Sequence, residues 1–131
     1  MSLNDEERLT LVNLYLEKSK STLHDAYIAA EAKSWSMAAN RIYYSVFHAA
    51  TALFIHDGIN VGSHRGIKSL LGQNYIMTGK MSSDYSRFLS QMETLRDKAD
   101  YNIMFEAVET DVLPNLEMAE IFIKEIERLV L

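Results

Sequence analysis

The residues best suited to chemistry in this sequence are an arginine, an aspartate and a tyrosine near the end of one helical stretch. Arg96 and Asp100 are four residues apart, which places them on one helix face, and Tyr101 follows directly. An arginine can bind a phosphate or stabilise charge in phosphoryl transfer, and a tyrosine beside it can donate a proton. The alternative is an Arg96–Asp100 ion pair that only holds the helix end, with Tyr101 closing the bundle.

An earlier, mostly apolar helix carries a second stripe of polar and aromatic candidates, namely Asn40, Tyr44, His48 and Thr51. A buried asparagine needs hydrogen-bond partners, so we expect Asn40 to orient Arg96 or Asp100 from the facing helix. A satisfied core network is the alternative. Arg41 reaches either a phosphate or a nearby carboxylate. His48 is the candidate general base, and a core or interface histidine is its alternative.

The start of a predicted short helix offers a third candidate site. His64 and Arg65 begin this helix, where free backbone N–H groups and the helix dipole favour an anion, and Lys68 follows one turn later. The alternative is an N-terminal turn whose loop is held by Ser63 and His64.

Metal and cofactor chemistry find no support in the sequence. His48 and His56 are eight residues apart on one helix, too far to share an ion unaided, and no H-E-x-x-H motif is present. The chain has no cysteine, no P-loop and no glycine-rich dinucleotide loop. We therefore predict neither a metal site nor a cofactor.

The elements that must position these residues are helices throughout, because the apolar residues recur at steps of three and four. The first helix is predicted to begin at Asn4, which has capping-box spacing with Glu7. A second helix is predicted over 34–56 and a short third over 64–77. A fourth is predicted to begin at Ser82 or Ser83, and the apolar residues of the last run from Val112 to Val130. Pro114 must lie in the first turn of the last helix or kink it. We predict one all-α domain over residues 1–131, an antiparallel four-helix bundle with an additional short helix.

The bulk composition narrows the functional classes. A formal net charge of −5 argues against non-specific binding to a phosphate backbone but permits a local basic site. No apolar run approaches the roughly 18 residues that span a bilayer, and the N-terminus lacks the pattern of a signal peptide. Together with the absence of cysteine, this predicts a cytoplasmic protein that does not enter the membrane.

Three motifs in order resemble those of prokaryotic stand-alone HEPN ("higher eukaryotes and prokaryotes nucleotide-binding") proteins. They are A-x-N-R-x-Y-Y at 38–44, S-H-[KR]-G at 63–66 and R-x-x-A-D-Y at 96–101. The resemblance implies a helical bundle that forms a homodimer, often beside a minimal nucleotidyltransferase encoded next door. It also implies a role in toxin–antitoxin or phage-defence systems, in which many HEPN proteins are RNases. Residues of the motifs and of the stripe on the earlier helix become candidates for nucleotide or RNA binding: Arg96, Asn40, Arg41, Tyr44, His48, His64 and Arg65.

The chain departs from the catalytic pattern of the family it resembles. HEPN RNases place an R-x(4–6)-H motif from each subunit in a shared cleft, usually without metal. Counting from Arg96, the histidine positions hold Tyr101, Asn102 and Ile103. We therefore expect first a dimeric, non-catalytic or weakly active HEPN module that works with a nucleotidyltransferase, in which Tyr101 is the position to test for nucleotidyl modification. The alternatives are a metal-independent RNase that uses Arg96, Asp100 and Tyr101, and a helical interaction scaffold without a nucleotide ligand.

Overall fold

The computed structural model describes residues 3–61 and 66–131, and these ranges are almost entirely helical. A π-helical turn, Gly72–Ile76, continues the short helix, and neither described range contains a strand. The predicted all-α architecture of four long helices and one short helix is confirmed. In chain order the α-helices are α1 (Asp5–Glu31), α2 (Trp35–His56), α3 (Gly66–Leu71), α4 (Ser83–Tyr101) and α5 (Glu109–Val130).

Two long helices begin at capping hydrogen bonds that the sequence predicts. The side-chain oxygen of Asn4 accepts from the Glu7 N–H at 2.8 Å, and the Asn4 N–H donates to the Glu7 carboxylate at 3.0 Å. This capping box satisfies two N–H groups that the first turn of α1 leaves without helical partners. Ser82 caps α4 by accepting from the Asp84 N–H at 3.2 Å.

Helix α2 lies at the centre of the bundle and packs against α1, α4 and α5. Its alanines Ala38, Ala39, Ala49 and Ala50 are fully buried, which lets the neighbouring helices approach closely. Most of the large buried side chains come from α2 and α5, and each contributes roughly 1.5–3 kcal/mol of burial free energy.

Among residues 3–61 and 66–131, no helix covers one face of α2. Helices α1 and α4 flank α2, yet no Cα of α1 lies within 8 Å of a Cα of α4. A contiguous row of α2 side chains is therefore only half-buried in the gap between α1 and α4. We call this surface the open face; its α2 residues are Asn40, Arg41, Tyr44, Phe47, His48 and Thr51.

Two elements differ in detail from the prediction. Helix α5 begins at Glu109, so Pro114 lies in its second turn and not in its first. The α-helical part of the short helix ends at Leu71, and the chain then widens into the π turn, in which the Met77 N–H donates to the Gly72 carbonyl at 2.9 Å. The proposed start of that helix, with Ser63, lies outside the described residues.

None of the helices in residues 3–61 and 66–131 is both long and apolar enough to span a membrane.

Candidate functional site

Arg96 lies near the C-terminal end of α4 and turns its side chain toward α2. Its guanidinium carbon is 4.9 Å from the ring centroid of Tyr43, 5.7 Å from that of Tyr44 and 5.8 Å from that of Tyr101. A cation at this distance from an aromatic ring is attracted by the ring quadrupole. Only 13% of the Arg96 side chain is exposed, so the three rings fix it at the edge of the open face.

The carboxylate that pairs with Arg96 is not the expected one. Arg96 Nη2 lies 3.0 Å from Asp97 Oδ1, and the predicted i,i+4 ion pair with Asp100 is absent from the described residues. The reason is that Asp100 is held from the facing helix, because Asn40 Nδ2 donates to Asp100 Oδ2 at 2.9 Å. The expected contact of Asn40 with the facing helix is therefore made at Asp100, as both the orienting role and the satisfied network predict.

Asn40 also fixes its neighbour Arg41. Its amide oxygen accepts from Arg41 Nε at 2.9 Å and from Arg41 Nη2 at 2.7 Å, and the Arg41 guanidinium lies 5.5 Å from the ring centroid of Tyr44. Arg41 thus donates to the amide oxygen of Asn40, whereas the sequence had suggested a phosphate or a nearby carboxylate. One asparagine side chain connects a carboxylate on α4 with a guanidinium on α2.

Arg96 Nε is a buried donor that the fold leaves unused. It makes no hydrogen bond to any part of the chain that the structure describes. Leaving a buried donor unpaired costs about 1–3 kcal/mol, so such a group in a native structure needs an explanation.

The protonation states follow from the same geometry. Burial by itself would lower the pKa of Arg96, but Tyr44, Asp97, Tyr43 and Tyr101 together outweigh it and raise the pKa. The pKa of Tyr43 is raised by burial first and by the charge of Glu93 next, and the positive charge of Arg96 opposes this rise. At neutral pH the site therefore holds a guanidinium cation against a neutral phenol.

His48 lies on the open face but outside the contacts around Arg96. Its ring packs 6.4 Å from Tyr44, 5.7 Å from Phe47 and 6.2 Å from Tyr15 on α1, measured between centroids. Eight residues separate it from Asn40, about 12 Å along the helix axis. Tyr44 is the residue that contacts both regions, so a general-base role for His48 requires a ligand that extends along α2.

The structure adds one residue that the sequence analysis had not selected, and it leaves two candidates untested. Tyr43 is almost completely buried and lies nearest to the guanidinium, although its spacing alone marks it as a core residue. The sequence feature that could have identified Tyr43 is the pair of adjacent tyrosines in the Y-Y motif. His64 and Arg65 lie outside the described residues, and Lys68 Nζ donates to Ser90 Oγ at 3.5 Å. Within the described ranges no three acidic or histidine side chains form a group that could hold a metal ion.

Comparison with known proteins gives the family. The HEPN domain family matches residues 12–129 of the chain. The chain is 27% identical over 128 residues to a protein of Thermotoga maritima named "UPF0332 protein", covering 98% of this chain and 96% of that protein. It is 31% identical over 119 residues to a protein of Methanocaldococcus jannaschii named "Putative toxin MJ0605", covering 91% of this chain and 83% of that protein. The chain belongs to the HEPN domain family, as its three motifs had indicated.

Proposed function

We propose that this HEPN chain is the toxin-like member of a two-component toxin–antitoxin or defence pair, and that Arg96 binds a phosphate of RNA or of a nucleotide. The observation that carries the proposal is the state of Arg96, which is charged, is held by three tyrosines and pairs through Nη2 with the exposed Asp97. The toxin name of the archaeal relative supports the same class of function.

A phosphate suits this arrangement for geometric reasons. The planar guanidinium presents its donors in a fixed fork that matches two phosphate oxygens, and stacking against aromatic rings keeps the fork in one plane. Asp97 is exposed and competes weakly in water, so a phosphate can displace it from Nη2. The tyrosine rings beside the guanidinium also offer stacking surfaces for a base.

We further propose that the active form is a homodimer that joins two open faces. The open face carries aromatic side chains that one chain leaves half-buried, which is the kind of surface that interfaces cover. Pairing two such faces would bring the two copies of Arg96 toward one shared cleft. Two guanidinium groups in one cleft would offset the acidic net charge of the chain for an anionic ligand.

A second candidate function, metal-independent cleavage of RNA, is favoured by what surrounds Arg96. The Asp100 carboxylate is held by Asn40, and Tyr101, 76% exposed, lies beside the guanidinium. In such a cleavage the ribose 2′-oxygen attacks the adjacent phosphorus and its proton passes to Asp100. The bond from phosphorus to the 5′-oxygen breaks, and that oxygen takes a proton from Tyr101, leaving a 2′,3′-cyclic phosphate and a 5′-hydroxyl. Arg96 would stabilise the charge of the phosphorane.

The partner that we propose is a minimal nucleotidyltransferase, and the exposed hydroxyl of Tyr101 is the group to test for nucleotidyl modification. Co-purification from the native host, followed by mass spectrometry of the bound proteins and of the Tyr101 peptide, tests both statements. Recovery of a nucleotidyltransferase supports the pair. A chain that purifies without one, with Tyr101 unmodified, contradicts it.

The proposed role of Arg96 is tested by expression in a bacterial host together with RNA binding in solution. We expect wild-type protein to arrest growth and to bind a fluorescent single-stranded RNA in the presence of EDTA, and Arg96→Ala to abolish both. Arg87→Ala is the matched control, because Arg87 lies on the same helix but is exposed and paired with Asp84.

The outcomes separate the two candidate functions. Binding without cleavage supports the non-catalytic module, whereas Arg96-dependent cleavage that survives EDTA and leaves cyclic phosphate ends supports the RNase. If Arg96→Ala arrests growth and binds RNA as the wild type does, the phosphate-binding role of Arg96 is refuted.

A further inference from the structure

An apolar projection follows directly after α4. Ile103 and Met104 are 97% and 89% exposed, more than the neighbouring Tyr101 at 76%. The turn that carries them is held by the Met104 N–H donating to the side-chain oxygen of Asn102 at 3.0 Å, and by the Phe105 N–H donating to the Asn102 carbonyl at 3.0 Å. Adjacent apolar side chains presented on an ordered turn mark an interaction surface. We call this pair the apolar knob.

A surface cavity of matching character lies between the end of α1 and the start of α2. Its volume is about 490 Å³, and Ile28 and Met37 are exposed at its walls. The alanines Ala29 and Ala32 keep it open because they fill little space. We call it the apolar groove; it is lined by Asp25, Ile28, Ala29, Ala32, Ser34, Met37 and Arg41.

The knob and the groove lie at the same end of the bundle, on opposite sides of the open face. The hydrogen bond between Asn40 and Asp100 fixes the ends of α2 and α4 at the same height. Met37 is one turn before Asn40, and the knob is one turn after Asp100. The groove is therefore on the α1 side of the open face, and the knob is on the α4 side.

For a symmetric dimer we take a two-fold axis that runs parallel to α2, and the placement of the two features then sets which surfaces face each other. A two-fold axis parallel to α2, in front of the open face, exchanges the two sides but keeps the two ends at the same height. The knob of each protomer then faces the groove of its partner, and the two contacts are equivalent by symmetry.

The charges around the two features are compatible with this pairing. Residues 97–111 contain five acidic residues and one basic residue, a net charge of −4 out of −5 for the whole chain. Direct contact between two such segments would be repulsive. The groove is instead neutral, with Arg41 and Asp25 in its lining and the exposed Glu31 and Lys33 beside it.

We propose that the apolar knob of each protomer inserts into the apolar groove of a second copy of this chain. This inference rests on the homodimer of the proposed function and names the contact that fixes its geometry. Because each dimer contains the contact twice, the apolar area buried by Ile103 and Met104 also counts twice.

Sedimentation of the wild type, two double variants and one single control variant tests the contact. The knob variant is Ile103→Asp with Met104→Asp, and the groove variant is Ile28→Asp with Met37→Asp. The control is Leu9→Asp, an exposed apolar position of α1 at the opposite end of the bundle. All five positions are exposed, so circular dichroism should report unchanged helicity.

We expect the wild type and the control to dimerise, and each double variant to dimerise at least about tenfold more weakly. A mixture of the knob and groove variants should form heterodimers, seen by native mass spectrometry, in excess of either homodimer. The reason is that each heterodimer keeps one intact knob–groove contact, whereas each variant homodimer keeps none.

The contrary outcomes are distinguishable. A wild type that dimerises, together with double variants of equal affinity, overturns the knob–groove contact and leaves the dimer standing. A wild type that stays monomeric at the highest concentrations overturns both, without bearing on RNA binding by Arg96.

Discussion

Two clusters of polar and aromatic side chains lie at opposite ends of α2, and they differ in how completely they are paired. At the C-terminal end, Asp57 Oδ1 lies 2.7 Å from His56 Nδ1, and Asp57 Oδ2 accepts from the Tyr75 hydroxyl at 2.5 Å. Both carboxylate oxygens are therefore used. At the N-terminal end, Arg96 leaves Nε without a hydrogen bond to any described residue.

The two clusters differ in whether every polar group that the structure describes has a partner. The hydrogen bond between Tyr75 and Asp57 connects the π turn to the end of α2. Burial, together with Asp57, raises the pKa of Tyr75, so its phenol remains a hydrogen-bond donor. A fully satisfied network of this kind contributes stability. The Arg96 cluster differs in that one buried donor, Nε, has no hydrogen-bond partner among the described residues.

The largest effect on stability is expected from breaking the satisfied cluster. Tyr75→Phe removes the donor to a partly buried carboxylate, so we expect the free energy of unfolding to fall by about 1.5–3 kcal/mol in urea denaturation. Tyr101→Phe, at the exposed ring beside Arg96, should change it by less than about 0.5 kcal/mol. Equal losses in the two variants would remove the distinction between the clusters.

A smaller loss is expected at the bridge between α2 and α4. Asn40→Ala removes the hydrogen bonds to Asp100 and Arg41, and we expect a loss of about 0.5–1.5 kcal/mol in the free energy of unfolding. RNA affinity should fall as well, because Asp100 is then free to pair with Arg96. Asn13→Ala, at an exposed position of α1, is the control. Unchanged RNA affinity in Asn40→Ala would show that the bridge is structural only.

The smallest effect is a change in pH dependence at a paired tyrosine away from both clusters. Burial, followed by the hydrogen bond to Glu120 and its charge, raises the pKa of Tyr27 to about 12. The unfolded chain has the ordinary value near 10, so between pH 10 and 12 it binds fewer protons than the folded chain and stability falls. Tyr27→Phe should reduce this slope in thermal unfolding and leave growth arrest unchanged. A slope equal to that of the wild type would mean that Tyr27 titrates normally.

Much of the framework was predictable from local sequence rules. The capping box at Asn4, the cap at Ser82 and the helical periodicity each depend on residues that are close in the chain, and the structure confirms them. The contact between Asn40 and Asp100 was also within reach, because a polar residue on an apolar helix must find a partner across the bundle.

The remaining features depend on packing that no local pattern encodes. Arg96 was expected to pair with Asp100, but Asn40 competes for that carboxylate and Asp97 takes its place. The spacing of Tyr43 in the sequence is that of a core residue. Its ring contacts the Arg96 guanidinium because α4 packs against α2 at this point. The open face exists because α1 and α4 do not meet, which is a property of three helices together.

Pro114 has a consequence for the motions of the segment that leads into α5. Having no N–H, it cannot donate to the Thr110 carbonyl, so the first turn of α5 is tied to the rest by fewer hydrogen bonds than the turns that follow. That turn can unwind locally while the buried part of the helix stays intact. Deuterium uptake by the backbone amides of 110–113 should therefore be faster than that of 117–129. A partner that binds the residues preceding α5 should slow the uptake at 110–113.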